Sequence, residues 1–188
     1  MNSQFNSLSA NRRSIYALGD NLSQTPEEIF DLVKQTVRAV VLFGKSSDKV
    51  WEIVEDALRK IAKSPDAFEQ TKAKIDSFKA GYGTILYFTD TTIVHQLEND
   101  YPSYAANFAN WAEQGLGGAQ QAVWTALAEQ GIGASLQHYN PLIDDAIHQA
   151  FNLPADWQLR AEMPFGSIEA PAGEKTHLDD EEMFKLIK

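Results

Sequence analysis

The chain has no cysteine. Disulfides, thiol nucleophiles, thiolate metal sites and iron–sulfur clusters are therefore excluded together, because each needs a sulfur that this sequence does not supply. Any redox chemistry must then reside in a bound cofactor. No apolar run approaches the roughly 18 residues of a membrane helix, and no basic-then-apolar leader opens the chain. The expectation is a cytoplasmic protein that does not engage a membrane. Positive charge is scarce as well: Lys and Arg number 16 against 26 Asp and Glu, the net charge is −10 and the pI is near 4.8. Such a surface repels phosphate backbones, and without a concentrated basic patch nucleic acid is not an expected partner. Arg12-Arg13 is the one place where two arginines adjoin.

What is present suffices for a core. With 188 residues, 44% of them apolar and 11% aromatic, the whole chain, 1–188, reads as one domain. Thr25, Pro26 and Glu28 combine an N-cap, a proline at the first helical position and a capping-box glutamate, so a helix starts there. Residues 37–43 (VRAVVLF) are rich in β-branched residues and end at Gly44, which predicts a strand, and their continuous apolar half suggests burial on both faces. From Asp48, apolar residues at three- and four-residue spacing mark a helix up to Ile61. Pro65 to Phe78 reads as another, Thr84 to Phe88 as a strand, and Asp90 to Leu97 as a helix. A long helical region then carries Tyr104, Phe108, Trp111 and Leu127, which the Gly115–Gly118 stretch should interrupt or kink. Its second half, low in charge, is expected to be central and buried. A short strand at Ala134 to Leu136, a helix from Pro141 to Phe151 and a strand from Trp157 to Met163 complete the pattern. Helices and strands alternate in mixed order with no repeat, which argues for an α+β class.

Two arginines side by side, followed by Ser14, suit a phosphate monoester, because planar guanidinium forks and a hydroxyl meet its several oxygens. From spacing alone, a solvated basic pair beside a helix end is the simpler reading. The four histidines, His95, His138, His148 and His177, form no ligand pair, so no metal site is expected. Trp51, Trp111 and Trp124 sit at helical spacing and are expected in the core, although Trp111 with Tyr104 and Phe108 would also suit a wall for flat ligands.

The strings RRSIYALG, VVLFG, QQAVWTALAEQGIGASLQHYNPLID, MPFG and PAGEKTHL occur in that order over nearly the whole chain. On these the sequence resembles the nitroreductase family, in particular its fatty-acid-repression branch known from yeast. The resemblance implies an α+β fold with a mixed sheet flanked by helices, and a homodimer with FMN at the subunit interface. It also implies ping-pong transfer of electrons from NADH or NADPH to nitroaromatic, quinone or similar electron-poor acceptors. By the same resemblance Arg12 and Ser14, with Arg13 beside them, bind the FMN phosphate, and Lys175 from the C-terminal tail completes the clamp. Leu136, Gln137 and His138 fall beside the reactive edge of the flavin, where a backbone N–H or an amide orients the ring. His138 is read as a packing or hydrogen-bonding residue, and no side chain is assigned as catalytic. Relatives carry a flavin-contacting loop before the strand at 37–43, where this chain passes directly through Lys34-Gln35-Thr36-Val37; Gln35 is the amide left to serve there. Two rivals are a flavin-binding regulator with weak catalysis and a helical interaction module without flavin.

Overall fold

The computed structural model describes residues 11–33, 38–175 and 179–187. Its centre is a five-stranded sheet built from β1 (Leu18–Gly19), β2 (Ala39–Phe43), β3 (Gly83–Asp90), β4 (Gly133–Ala134) and β5 (Trp157–Ile168). The order is β1-β5-β3-β2, with β4 also paired to β5. These pairings are antiparallel, and an isolated parallel bridge, Ser14 to Ala134, makes the sheet mixed. The described helices are α1 (Pro26–Val33), α2 (Lys45–Ile61), α3 (Pro65–Lys79), α4 (Thr91–Asp100), α5 (Ala105–Glu129), α6 (Asp144–Phe151) and α7 (Asp180–Met183). None is long and apolar enough to cross a membrane.

Alternation along β3 explains why the sheet has an apolar layer on each side. Ile85 and Tyr87 face one cluster, completed by Ile29 and Val33 of α1 and by Val123 and Leu127 of α5. Leu86 and Phe88 face the other, with Val50, Trp51 and Val54 of α2, Ile75 and Phe78 of α3, and Ile147 of α6. Successive side chains of a strand point to opposite faces, so a central strand covered by helices on both sides must be apolar throughout.

The start of α1 is capped as its sequence predicts: Thr25 N–H donates to Glu28 Oε2 at 2.8 Å, and Glu28 N–H donates back to Thr25 Oγ1 at 3.2 Å. Elsewhere the structure departs from the sequence reading. Helix α5 runs unbroken through Gly115 to Gly118. The space around Gly115, Gly117 and Gly118 is open, so these residues cost the helix only their weak propensity, which its length absorbs. Its second half is buried only along Gln120, Val123 and Leu127, leaving the opposite face exposed. Strand β2 lies at the end of the described sheet and buries only Leu42 fully. Strand β5 continues five residues past Met163, through Pro164 and Gly166. Trp51 and Trp124 pack inward as expected, but Trp111 is 46% exposed.

Candidate cofactor site

The two ends of the chain meet at β5. Residues 133–137 run antiparallel to it: Ser135 N–H donates to Pro164 O at 3.2 Å, and Gln137 and Glu162 exchange both backbone bonds at 2.8 and 3.0 Å. On the opposite edge of this stretch, Ile15 N–H donates to the carbonyl of Ala134 at 2.9 Å. Gly133 leaves room for this docking, since a Cβ there would sit 2.9 Å from Ile15 Cγ2. Beyond β1, Glu169 N–H donates to Ala17 O at 3.0 Å and leads the tail back past the N-terminal segment. Arg13 then ties the two ends directly, its Nη2 donating to Gly173 O at 2.8 Å.

The result is one cavity of about 480 Å³ whose wall includes Arg12, Arg13, Ser14, Gly173 and Lys175. Glu174 lines it as well, so three cations face one carboxylate. The guanidinium of Arg12 lies 4.3 Å from the centroid of the Trp124 ring. Arg12 Nε and Trp124 Nε1 are both buried donors without a hydrogen-bond partner. Buried polar groups are almost always satisfied, and an orphan costs about 1–3 kcal/mol. An orphaned guanidinium donor on the wall of a cationic cavity fits an acceptor-rich anion, and a phosphate monoester meets that description.

The edge that accepts the N-terminal segment continues beyond it. Along 133–137 the backbone of Ser135 and Gln137 points toward β5 and that of Ala134 points away. Leu136 and His138 share the outward parity of Ala134, and neither N–H has a partner among the described residues. At about 3.3 Å per residue, these donors lie roughly 7 and 13 Å along the strand from the Ser14 bridge. The N-terminal segment that carries Arg12 to Ser14 and these two unpaired N–H groups therefore lie along the same strand edge.

Of the residues singled out from the sequence, Arg12, Arg13, Ser14 and Lys175 share the cavity. Leu136, Gln137 and His138 follow along the strand edge without lining it. Leu136 is half-buried against the cluster containing Val123 and Leu127. The amide of Gln137 is turned inward, with Nε2 donating to Ser135 Oγ at 3.1 Å. The exposed ring of His138 places Nδ1 3.1 Å from Arg160 O and borders a separate cavity of about 370 Å³. Gln35 lies outside the described residues, as does His177. No cluster of metal-ligating side chains occurs among the described residues.

Trp111 and Phe108, which the sequence also suited to a wall for flat ligands, line an open groove of about 540 Å³ with Ile93, Leu97 and Leu116, between α4 and α5, without Tyr104. Two features escaped the sequence reading. Trp124 lies against the Arg12 guanidinium, which its helical spacing does not reveal. Glu162, the one carboxylate of β5, is wholly buried. Its Oε2 accepts the N–H of Tyr139 at 3.0 Å, while Oε1 has no partner. Burial pushes this carboxyl up to about 8. Burial, with the adjacent Glu162, pushes the Tyr139 phenol up to about 12.

A profile of the nitroreductase family matches residues 10–167. The chain is 47% identical to the nitroreductase CinD from Lactococcus lactis, solved in complex with nicotinic acid, over 98% of this chain and 100% of that one, with a TM-score of 0.88. CinD has also been solved with chloramphenicol and with 4-nitrophenol. HBN1 of Saccharomyces cerevisiae, which carries a nitroreductase name, is 34% identical over 92% of this chain and 93% of its own length. The FMN-dependent nitroreductase NfnB from Mycobacterium smegmatis, in complex with NADPH, shares the fold at 14% identity and a TM-score of 0.71, over 96% of each chain.

Proposed function

Since the chain belongs to the nitroreductase family, we propose that it is an FMN-dependent oxidoreductase that takes electrons from NADH or NADPH and passes them to flat, electron-poor acceptors such as nitroaromatics or quinones. One observation carries this reading: Arg12, Arg13, Ser14 and Lys175, from opposite ends of the sequence, border a single cavity in which Arg12 Nε lacks an acceptor. Bound FMN would supply the hydride chemistry, and the protein's part is to hold, orient and shield.

Arg12 and Arg13 offer planar donors to the phosphate, Ser14 a hydroxyl and Lys175 a mobile charge. The Trp124 ring supports the Arg12 guanidinium that lies over it. The outward N–H groups of Leu136 and His138 give the ring edge donors that need no reorganisation when charge develops there. Gln35 remains the proposed amide on the pyrimidine side. The complexes of CinD with 4-nitrophenol and chloramphenicol support nitroaromatic acceptors, and the NADPH complex of NfnB supports a nicotinamide donor. The protein is proposed to act in the cytoplasm as a homodimer, with the exposed face of α5 at the interface and the site beside it.

The test is reconstitution. Purified protein incubated with FMN and desalted should remain yellow and be bleached by NADH or NADPH without oxygen. Adding a nitroaromatic or quinone should restore the colour. A preparation that retains no FMN overturns the proposal, and flavin retention with no acceptor-dependent turnover points to the regulatory alternative.

A further inference from the structure

Glu162 is used by nothing in the proposed function, yet it sits directly behind the donor edge. Its main chain exchanges both hydrogen bonds with Gln137, and its side chain takes the N–H of Tyr139. One residue therefore grips the backbone on either side of His138, whose own N–H points outward. We propose that Glu162 is a positioning residue for the cofactor: through Tyr139 it sets the outward edge at Leu136 and His138, and a flavin lying on that edge senses its charge. This rests on the flavin reading above.

The surroundings of the carboxyl make it responsive. On β3 it is opposed in register by Leu86, and Trp51 of α2 packs into the same face, 6.2 Å from the Tyr139 ring. The charged or titratable groups that bear on it are Asp144 at the start of α6, which raises it, and the Tyr139 phenol. The basic side chains nearby in sequence are engaged elsewhere: the His138 ring lies against Arg160 O, and the Arg160 guanidinium pairs with Glu113 at 2.8 Å. With no cation to neutralise it, the carboxyl keeps its proton until about pH 8. Ionisation then changes two things. The bond from Tyr139 N–H becomes charge-assisted and about twice as strong. A negative charge also appears behind the edge, in surroundings of low dielectric, where it opposes the addition of electrons to a flavin.

The experiment compares the full-length wild-type protein with Glu162→Gln, each reconstituted with FMN, across a pH range bracketing 8. It records the visible spectrum of the bound flavin, its reduction potential and its Kd. Wild type should show a spectral transition near pH 8, with FMN affinity changing several-fold and the potential falling more steeply with pH through that point. Glu162→Gln, locked in the neutral form, should show neither feature. The wild-type transition should persist in His138→Gln, which removes the neighbouring imidazole but keeps the backbone donor. A wild-type protein that binds FMN but has no transition near pH 8 overturns the role of Glu162, whether or not the variant folds. So do superimposable profiles for wild type and Glu162→Gln. A wild-type protein that takes up no FMN overturns instead the reading on which the proposal rests.

Discussion

Arg12 concentrates the argument at the scale of single residues, because charge, planarity and an unsatisfied donor coincide in it. A lysine at this position would keep the charge but lose both the fork and the guanidinium contact with Trp124, and the two side chains are not equivalent at such a site. Arg12→Lys is expected to weaken FMN binding by about 1–3 kcal/mol, and Arg12→Ala by more; a fluorescence titration of FMN measures both. Glu162 acts in the opposite sense on stability. Below its unfolded value of 4.5 the carboxyl is protonated in both states and contributes nothing. As pH rises from there the unfolded chain ionises first, while the folded chain holds its proton until about 8. Stability therefore falls over that interval, by at most about 1.4 kcal/mol per pH unit, and levels off above it. Glu162→Gln should match wild type in urea unfolding near the acidic end and exceed it by a few kcal/mol at the alkaline end. Equal stability at both ends would mean that the carboxyl is less desolvated than its position implies. The sequence showed Arg12 and Ser14 because a basic pair with a hydroxyl is locally conspicuous. It did not show Glu162, whose significance lies in which backbone crosses it.

At the scale of elements, local signals were readable and terminations less so. The capping box at Thr25 and Glu28 located α1 because its chemistry is complete within four residues. Strand β5 outran its expected end because Pro164 and Gly166 look like breakers, yet each fits its place there. The carbonyl of Pro164 accepts from Ser135, and Gly166 admits the backbone of β1, since a Cβ would collide with the carbonyl of Gly19 and lie 2.9 Å from Tyr82 N. Gly166→Ala should therefore push β1 off its partner, costing about 1–3 kcal/mol as overpacking does, and with it the placement of the Arg12–Ser14 segment. A lowered melting temperature accompanied by FMN loss is expected; a lower melting temperature with FMN fully retained would separate β1 from the site. In α5 the glycines carry no such constraint. Gly115→Ala meets open space and should stabilise the protein by about 1 kcal/mol in urea unfolding.

For the whole molecule, the question is what covers the outer face of α5. The mixed α+β class was legible because both periodicities were present, but the meeting of the termini at β5 was not, since it depends on pairings more than a hundred residues apart that leave no local trace. The sequence placed the second half of α5 in a central, buried position; within the single chain Gln120, Val123 and Leu127 are buried, while Gly118, Gln121 and Ala122 remain exposed. Small, uncharged residues on an exposed helix face allow another backbone to approach closely, and a two-fold dimer places the same patch on both sides. The two orphaned donors, Arg12 Nε and Trp124 Nε1, lie on or against this helix, so in the proposed dimer a flavin held by them would sit beside the interface. Ala122→Glu places two like charges across that contact without touching the inner core. Sedimentation should then show a monomer, and FMN affinity should fall although every phosphate-binding side chain is intact. A variant that remains dimeric and yellow would move the interface away from α5 and leave the clamp to hold the cofactor within one chain.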